Sequence, residues 1–149
     1  MLMRLRCAPT ASRGCQRVRV VMDKIVMQPI GHVVSDQPDV PRFYTISDVE
    51  GELIIDEKLK EGLTDIKAGS TIVVLFYFHQ SPQFTPEKLR VVPPSRQELR
   101  GVFSTRSPVR PNPIGLSKLT VRYVKENRIG VRGLDMIDGT PILDIKPYK

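Results

Sequence analysis

The chain has 149 residues, about one domain's worth, and 40% of them are hydrophobic, which excludes a fibre, a low-complexity tract or wholesale disorder. Its longest apolar run, residues 72–78, is strand-sized and far short of the roughly 18–20 residues of a membrane helix, so no membrane partner is expected. The net charge of +7 is unevenly placed. Arg4, Arg6, Arg13, Arg17 and Arg19 contribute +5 within residues 1–22, where there is no acid; the rest holds 18 basic and 16 acidic groups, only +2. Global charge is therefore weak evidence for a nucleic-acid partner.

Residues 1–26 read as a leader. Arginines interrupt any apolar h-region, so it is not a secretory signal, and it lacks the amphipathic face of a transit peptide. It reads as a disordered tail or an over-extended start, with the chain proper beginning near Met22 or Met27 and the folded domain spanning 27–149. Both cysteines, Cys7 and Cys15, lie in this leader, in a spacing with no nearby histidine, so no metal site is expected. A cysteine-free remainder excludes a disulfide framework and fits a reducing cytoplasm.

In chain order, residues 29–35, 42–46 and 52–55 read as short strands, with 48–51 as the turn between the last two. Residues 55–63 carry apolar side chains every fourth position, at Ile55, Leu59 and Leu63, and predict about two helical turns. The IVVLFYF run at 72–78 predicts a strand covered on both faces. Thr85-Pro86 predicts a single turn through Leu89. Residues 118–123 alternate, with Leu119, Val121 and Tyr123 opposite Lys118, Thr120 and Arg122. Ile129 and Val131 repeat the pattern against Arg128 and Arg132, which predicts an antiparallel hairpin with one wet, basic face. Leu143 and Ile145 against Asp144 and Lys146 predict a last strand. Many short strands, few helical residues and 13 prolines make the class all-β, and closure into a barrel removes exposed edges.

Phosphate-binding glycine loops, zinc-protease and nucleophile-elbow motifs are missing, and only two histidines exist, His32 and His79. His79 reads as a polar end to an apolar strand. The GVRG at 130–133 lies in a strand pattern and not between helices, so it is not a nucleic-acid loop. Two blocks remain. In GVFSTRSPVRPNPIGLS, residues 101–117, three prolines at 108, 111 and 113 fix φ and remove donors, predicting a stiff extended loop. It presents Arg106 and Arg110 beside Ser104, Thr105, Ser107 and Asn112, a set suited to gripping a carboxylate or phosphate, although surface arginines are often only solvated. In GLDMIDGTPILDIKPY, residues 133–148, Asp138-Gly139 signals a tight turn. Asp135 and Asp138 either serve that turn or face a cationic or hydroxyl-rich ligand.

These two blocks closely resemble the TrmO (TsaA-like) family of tRNA adenine N6-methyltransferases. Pro29-Ile30-Gly31, Val40-Pro41-Arg42, Glu61-Gly62-Leu63 and Phe78-His79 extend the resemblance over about residues 28–149. It implies a single-sheet β-barrel that binds S-adenosylmethionine, works as a homodimer and methylates N6 of threonylcarbamoyladenosine beside the anticodon of a tRNA. The family's cofactor pocket falls on Pro41, Arg42, Thr71, Ile72, Arg106, Leu116 and the run Asp135, Met136, Ile137 and Asp138. Arg106 is expected at the cofactor's carboxylate or a substrate anion, and Asp135 or Asp138 at ribose, sulfonium or the N6 proton as candidate catalytic groups. Arg110 and Asn112 are expected to orient the substrate, and the Lys118, Arg122, Arg128 and Arg132 face to track the tRNA backbone.

Two departures touch these expectations. Phe43 stands where many bacterial members have Gln, and Thr71-Ile72 where they have His-Leu; the sequence also stops at Lys149, without the C-terminal domain of longer members. Competing readings are a barrel that binds S-adenosylmethionine or RNA without methyl transfer, and methyl transfer to a small molecule.

Overall fold

The computed structural model describes residues 24–41, 43–94 and 97–149. The expected leader therefore lies, through residue 23, outside the described residues, as do both cysteines and Arg42. Eight strands form in chain order: β1 Gly31–Val34, β2 Glu50–Ile55, β3 Thr71–Tyr77, β4 Arg90–Val91, β5 Arg100–Gly101, β6 Ile114–Lys125, β7 Arg128–Arg132 and β8 Pro141–Pro147. Six of them close a fully antiparallel barrel in the order β1-β2-β7-β6-β3-β8, and β4 pairs with β5 as a separate two-residue ribbon. The all-β class and the barrel closure are as expected.

Closure rests on a short seam. β1 meets β8 only at Gly31↔Ile142 and His32↔Pro141, extended by bonds from Ile30 N–H to the Ile142 carbonyl at 2.8 Å and from Val33 N–H to the Thr140 carbonyl at 3.0 Å. Inside, Val33, Leu53, Ile72, Val74, Phe76, Leu119, Val121, Ile129, Val131 and Ile142 form one buried core. Alternation along each strand places these side chains inward with period two.

Several expectations on individual elements are corrected by tertiary contacts. Residues 44–46 form a 3₁₀ turn and not a strand. Bonds from Ile46 N–H to the Phe43 carbonyl and from Ser47 N–H to the Tyr44 carbonyl curl the chain there, while Asp135 takes the Tyr44 N–H that a ladder would need. The predicted two helical turns become a 3₁₀ segment, Glu57–Leu63, with Ile55 left in β2. Only Leu63 of that segment is buried, so no apolar helical face exists to be covered. β3 is covered on one face alone: Ile72, Val74 and Phe76 fill the barrel, whereas Val73 and Leu75 are half-buried and Tyr77 is exposed. The Thr85-Pro86 turn forms as expected, over Pro86–Leu89.

Two bulges also change facing. A register shift between Val121 and Tyr123 turns Tyr123 outward, against the expected inward alternation, and brings Val124 against the core. A second shift on β8 pairs Ile142 with Phe76 and Asp144 with Leu75, so Ile142 takes the inward place expected of Leu143, and Ile145 packs inward as expected.

Close approaches bar a side chain at Gly31, Gly51, Gly115 and Gly130. A Cβ on Gly115 would meet the Phe76 ring at 2.2 Å, and that ring is locked in the core. Gly115→Ala is expected to lower unfolding free energy by about 1–3 kcal/mol through overpacking, measured by denaturant titration; an unchanged midpoint would show that Phe76 yields.

Candidate functional site

The antiparallel order brings the ends of β1, β3 and β7 and the beginnings of β2, β6 and β8 to one end of the barrel. Loops 35–49 and 133–140 meet there. Gly133 and Leu134 N–H groups both donate to the Val49 carbonyl at 3.0 Å, and the Ser47 hydroxyl donates to the Leu134 carbonyl. Ser35 N–H donates to Asp138 Oδ1 at 3.1 Å, and Tyr44 N–H to Asp135 Oδ2 at 2.8 Å. Gly139, at φ 71°, takes the turn that Asp138-Gly139 signalled.

Asp135 is the centre of this end. Its Oδ1 accepts the hydroxyl of Ser117, a fully buried serine at an inward position of β6, so one carboxylate ties three separate segments together. Burial raises the Asp135 pKa above the ordinary carboxylate value, opposed first by the Ser117 hydrogen bond, then by the Tyr44 and Asp135 N–H groups, and last by the positive charge of Arg106. Arg106 reaches the site from the proline-braced loop. Its guanidinium carbon lies 5.2 Å from the Tyr44 ring centroid, with a long 3.5 Å contact to the phenol oxygen. Among the described residues neither Arg106 nor Arg110 has an ion pair.

The loop begins with an unforeseen 3₁₀ turn at Val102–Ser104. Phe78 N–H donates to the Pro113 carbonyl at 2.8 Å, and Ile114 N–H to the Asn112 carbonyl at 2.7 Å, which fix its exit beside the end of β3.

The structure therefore brings Asp135, Arg106 and the Pro41-bearing loop to one end, with Asp138 held beside them by Ser35. It does not bring the whole candidate set together. Thr71 and Ile72 begin β3 at the other end of that strand, and Ile72 is a core side chain. Met136 is likewise core, at 2% exposure, leaving only its backbone for a ligand. Leu116 is outward on β6, next to the inward Ser117, and 46% exposed. Tyr44 and Ser117 escaped sequence reasoning. The S-x-L alternation entering β6 was the only local hint that Ser117 points inward, and nothing local marked Tyr44.

The expected basic face is also corrected. Arg122, Arg128 and Arg132 pair across strands with Glu50, Glu52 and Asp48 at 3.5, 2.9 and 2.8 Å, so three positive charges meet three negative ones. Tyr123 donates its hydroxyl to Glu52 at 2.6 Å, and that bond, ahead of Arg128, holds Glu52 below the usual carboxylate range against the cost of burial. Lys118 lies apart, 3.7 Å above the Tyr148 ring. Two shallow depressions of about 200 and 350 Å³ flank this ladder and share Glu50, Gly51 and Glu52; neither is lined by Asp135 or Arg106.

The barrel thus carries at one end a largely buried carboxylate and an arginine without an ion pair among the described residues, and comparisons with known proteins give these a context. The family model described as the tRNA-methyltransferase O N-terminal domain matches residues 31–149, and the chain belongs to that family. An S-adenosyl-L-methionine-binding protein of Archaeoglobus fulgidus is 44% identical over 127 residues, covering 83% of this chain and 89% of that protein. A tRNA (adenine(37)-N6)-methyltransferase of Mus musculus is 36% identical over 151 aligned residues, covering 95% of this chain but 35% of that protein. The crystal structure of TrmO from Pseudomonas aeruginosa superposes with a TM-score of 0.64 at 30% identity, over 85% of this chain and 56% of that one.

No helix among the described residues is long and apolar enough to cross a membrane. The geometry at Asp135 carries a pH signature. Because the folded state raises its pKa, the folded protein holds this proton more tightly than the unfolded chain, and stability falls as pH rises out of the ordinary carboxylate range through the folded value. Asp135→Asn cannot titrate, so its stability relative to the parent is expected to improve as pH rises from about 3.5 to 7. Thermal unfolding across that range checks this; parallel pH profiles would contradict it.

Proposed function

We propose that this chain binds S-adenosylmethionine at the Asp135 end of the barrel and methylates N6 of an adenosine in tRNA, with threonylcarbamoyladenosine beside the anticodon as the substrate. The observation that carries this reading is the meeting of Arg106, unpaired among the described residues, with Asp135 and the Tyr44 ring, in a chain of the tRNA-methyltransferase O family. The relatives' printed names supply the two ligands: one binds S-adenosyl-L-methionine and others methylate adenine 37 of tRNA.

The residues present fit such a cofactor. Its carboxylate calls for a guanidinium fork, which Arg106 offers, and its ammonium, sulfonium and ribose call for carboxylate or carbonyl acceptors and a π face. Asp135, the carbonyls of 133–140 and Tyr44 offer these. When bound, the cofactor supplies an electrophilic methyl group on a positively charged sulfur. The chain's own work is alignment. Asp135 positions the Tyr44 turn and lowers the local potential, and Arg106, braced through Pro108, holds an anion at a fixed place. Asp138 keeps the turn beside it in shape, while Arg110 and Asn112 orient the substrate. Reaction on tRNA places the protein with its substrate in the cytoplasm.

A homodimer is part of the proposal. Ser117 and Leu116 point to opposite faces of β6, which favours a second copy as the source of a Leu116 beside a ligand held by Asp135. Leu75 pairs with Leu116, and Tyr77 with Ile114, which makes this outer face apolar enough to be covered. Leu116→Glu is expected to convert the dimer to monomer in light scattering; an unchanged mass would remove this face as the contact.

One observation favours a second reading, a cofactor-binding barrel without methyl transfer. The chain spans 89% of the Archaeoglobus binding protein but only about a third of the mouse methyltransferase. Mass spectrometry of nucleosides from tRNA incubated with labelled cofactor separates the two: N6-methylated product supports the enzyme, and binding without product supports the module. Arg106→Ala is expected to weaken S-adenosylmethionine binding about ten- to hundred-fold, as loss of a charge-assisted hydrogen bond does. Unchanged affinity in calorimetry would take Arg106 out of the site.

A further inference from the structure

Residues 84–113 form an arm outside the barrel strands, built around the β4–β5 ribbon. In sequence this arm carries six basic residues, Lys88, Arg90, Arg96, Arg100, Arg106 and Arg110, against Glu87 and Glu98, a net +4. The rest of residues 23–149 carries 12 basic and 14 acidic residues, a net −2. The positive charge of the folded domain is therefore concentrated on the arm that delivers Arg106 to the site, while Arg122, Arg128 and Arg132 of β6 and β7 are paired with Glu50, Glu52 and Asp48.

Phe103 lies within that basic stretch of the sequence. At 75% exposure it is the most exposed aromatic side chain among the described residues. It is not on a loose loop. Its neighbour Val102 is buried, the N–H and hydroxyl of Thr105 both donate to the Val102 carbonyl at 3.1 and 2.8 Å, and the Ser104 hydroxyl donates to the Gly101 carbonyl at 2.8 Å. The turn thus holds the ring out into solvent on a fixed base. Arg90 sits across the ribbon from Gly101 and has no ion pair among the described residues, and Arg106 follows Phe103 by three residues.

An exposed ring on a hydrogen-bonded turn of a positively charged arm matches what unstacked RNA bases require: a π face for the base and cations for the phosphates beside it. We infer that Phe103 is a stacking platform for an unpaired base neighbouring the target adenosine, with Arg90 at the adjoining phosphate. This rests on the reading of the chain as acting on tRNA. The RNA then approaches along the arm and not across the ion-paired sheet.

The sequence contains no tryptophan, so Phe103→Trp creates a single reporter. Titrating this variant with an RNA stem-loop bearing an unpaired adenosine is expected to quench its emission saturably, more weakly as salt rises. Phe103→Ala is expected to bind the same RNA about ten-fold or more weakly, with S-adenosylmethionine affinity and unfolding temperature unchanged. RNA binding by Phe103→Trp with silent emission would overturn the platform and leave the tRNA reading standing. Emission that shifts with protein concentration alone would overturn it in favour of a second copy covering the ring. If the parent protein binds no RNA at all, the tRNA reading fails and the platform falls with it.

Discussion

The buried carboxylate of Asp135 is the constraint on which the rest of the site depends. It accepts from a side chain on β6 and from a backbone N–H in the β1–β2 loop, while itself belonging to the β7–β8 loop. These segments are far apart in sequence, so ordering them has a large entropic cost, and a partly desolvated charge with two good donors is a strong way to offset it. The same carboxylate costs free energy to bury, which its raised pKa expresses. The hydrogen bonds and the approach of Arg106 keep that cost tolerable. Loss of this one group would free the Tyr44 turn, and with it the aromatic surface on which Arg106 rests.

Charge in this protein is divided between two tasks. On the outer sheet face, arginines and acids alternate across β2, β7 and β6 at cross-strand distances that add register specificity more than stability. On the arm, Arg90, Arg106 and Arg110 have no ion pair among the described residues, whereas Arg100 pairs with Glu98 at 2.8 Å. Arginines in the two places have opposite meanings, because a paired guanidinium offers a phosphate little, and an unpaired one offers it a free fork.

The placement of the exposed apolar residues follows a similar division. Leu116 and Tyr77 form part of one outward strip on β3 and β6, whereas Phe103 is carried on the basic arm, which also exposes Leu89, Val92 and Leu99. An apolar strip on the outside of the barrel suits another protein surface, and a ring held out on a basic arm suits a base. A common hydrophobicity scale would score these together, and only their surroundings separate them.

Much of the protein is legible in the chain itself. Period-two alternation marked the β6–β7 hairpin, continuous β-branched residues marked β3, and the proline-rich arginine block and the Asp138-Gly139 turn stood out with the family resemblance they carry. Local chemistry suffices for these, because alternation and fixed φ angles act within a few residues. What the chain alone left open was decided across the barrel. Tyr44 curls because Asp135, 91 residues away, takes its N–H; Tyr123 turns outward because a bulge releases it to Glu52; Arg122, Arg128 and Arg132 lose their free charge to Glu50, Glu52 and Asp48. Each is a long-range pairing, and a local pattern cannot report which distant group will supply the hydrogen bond or the opposite charge.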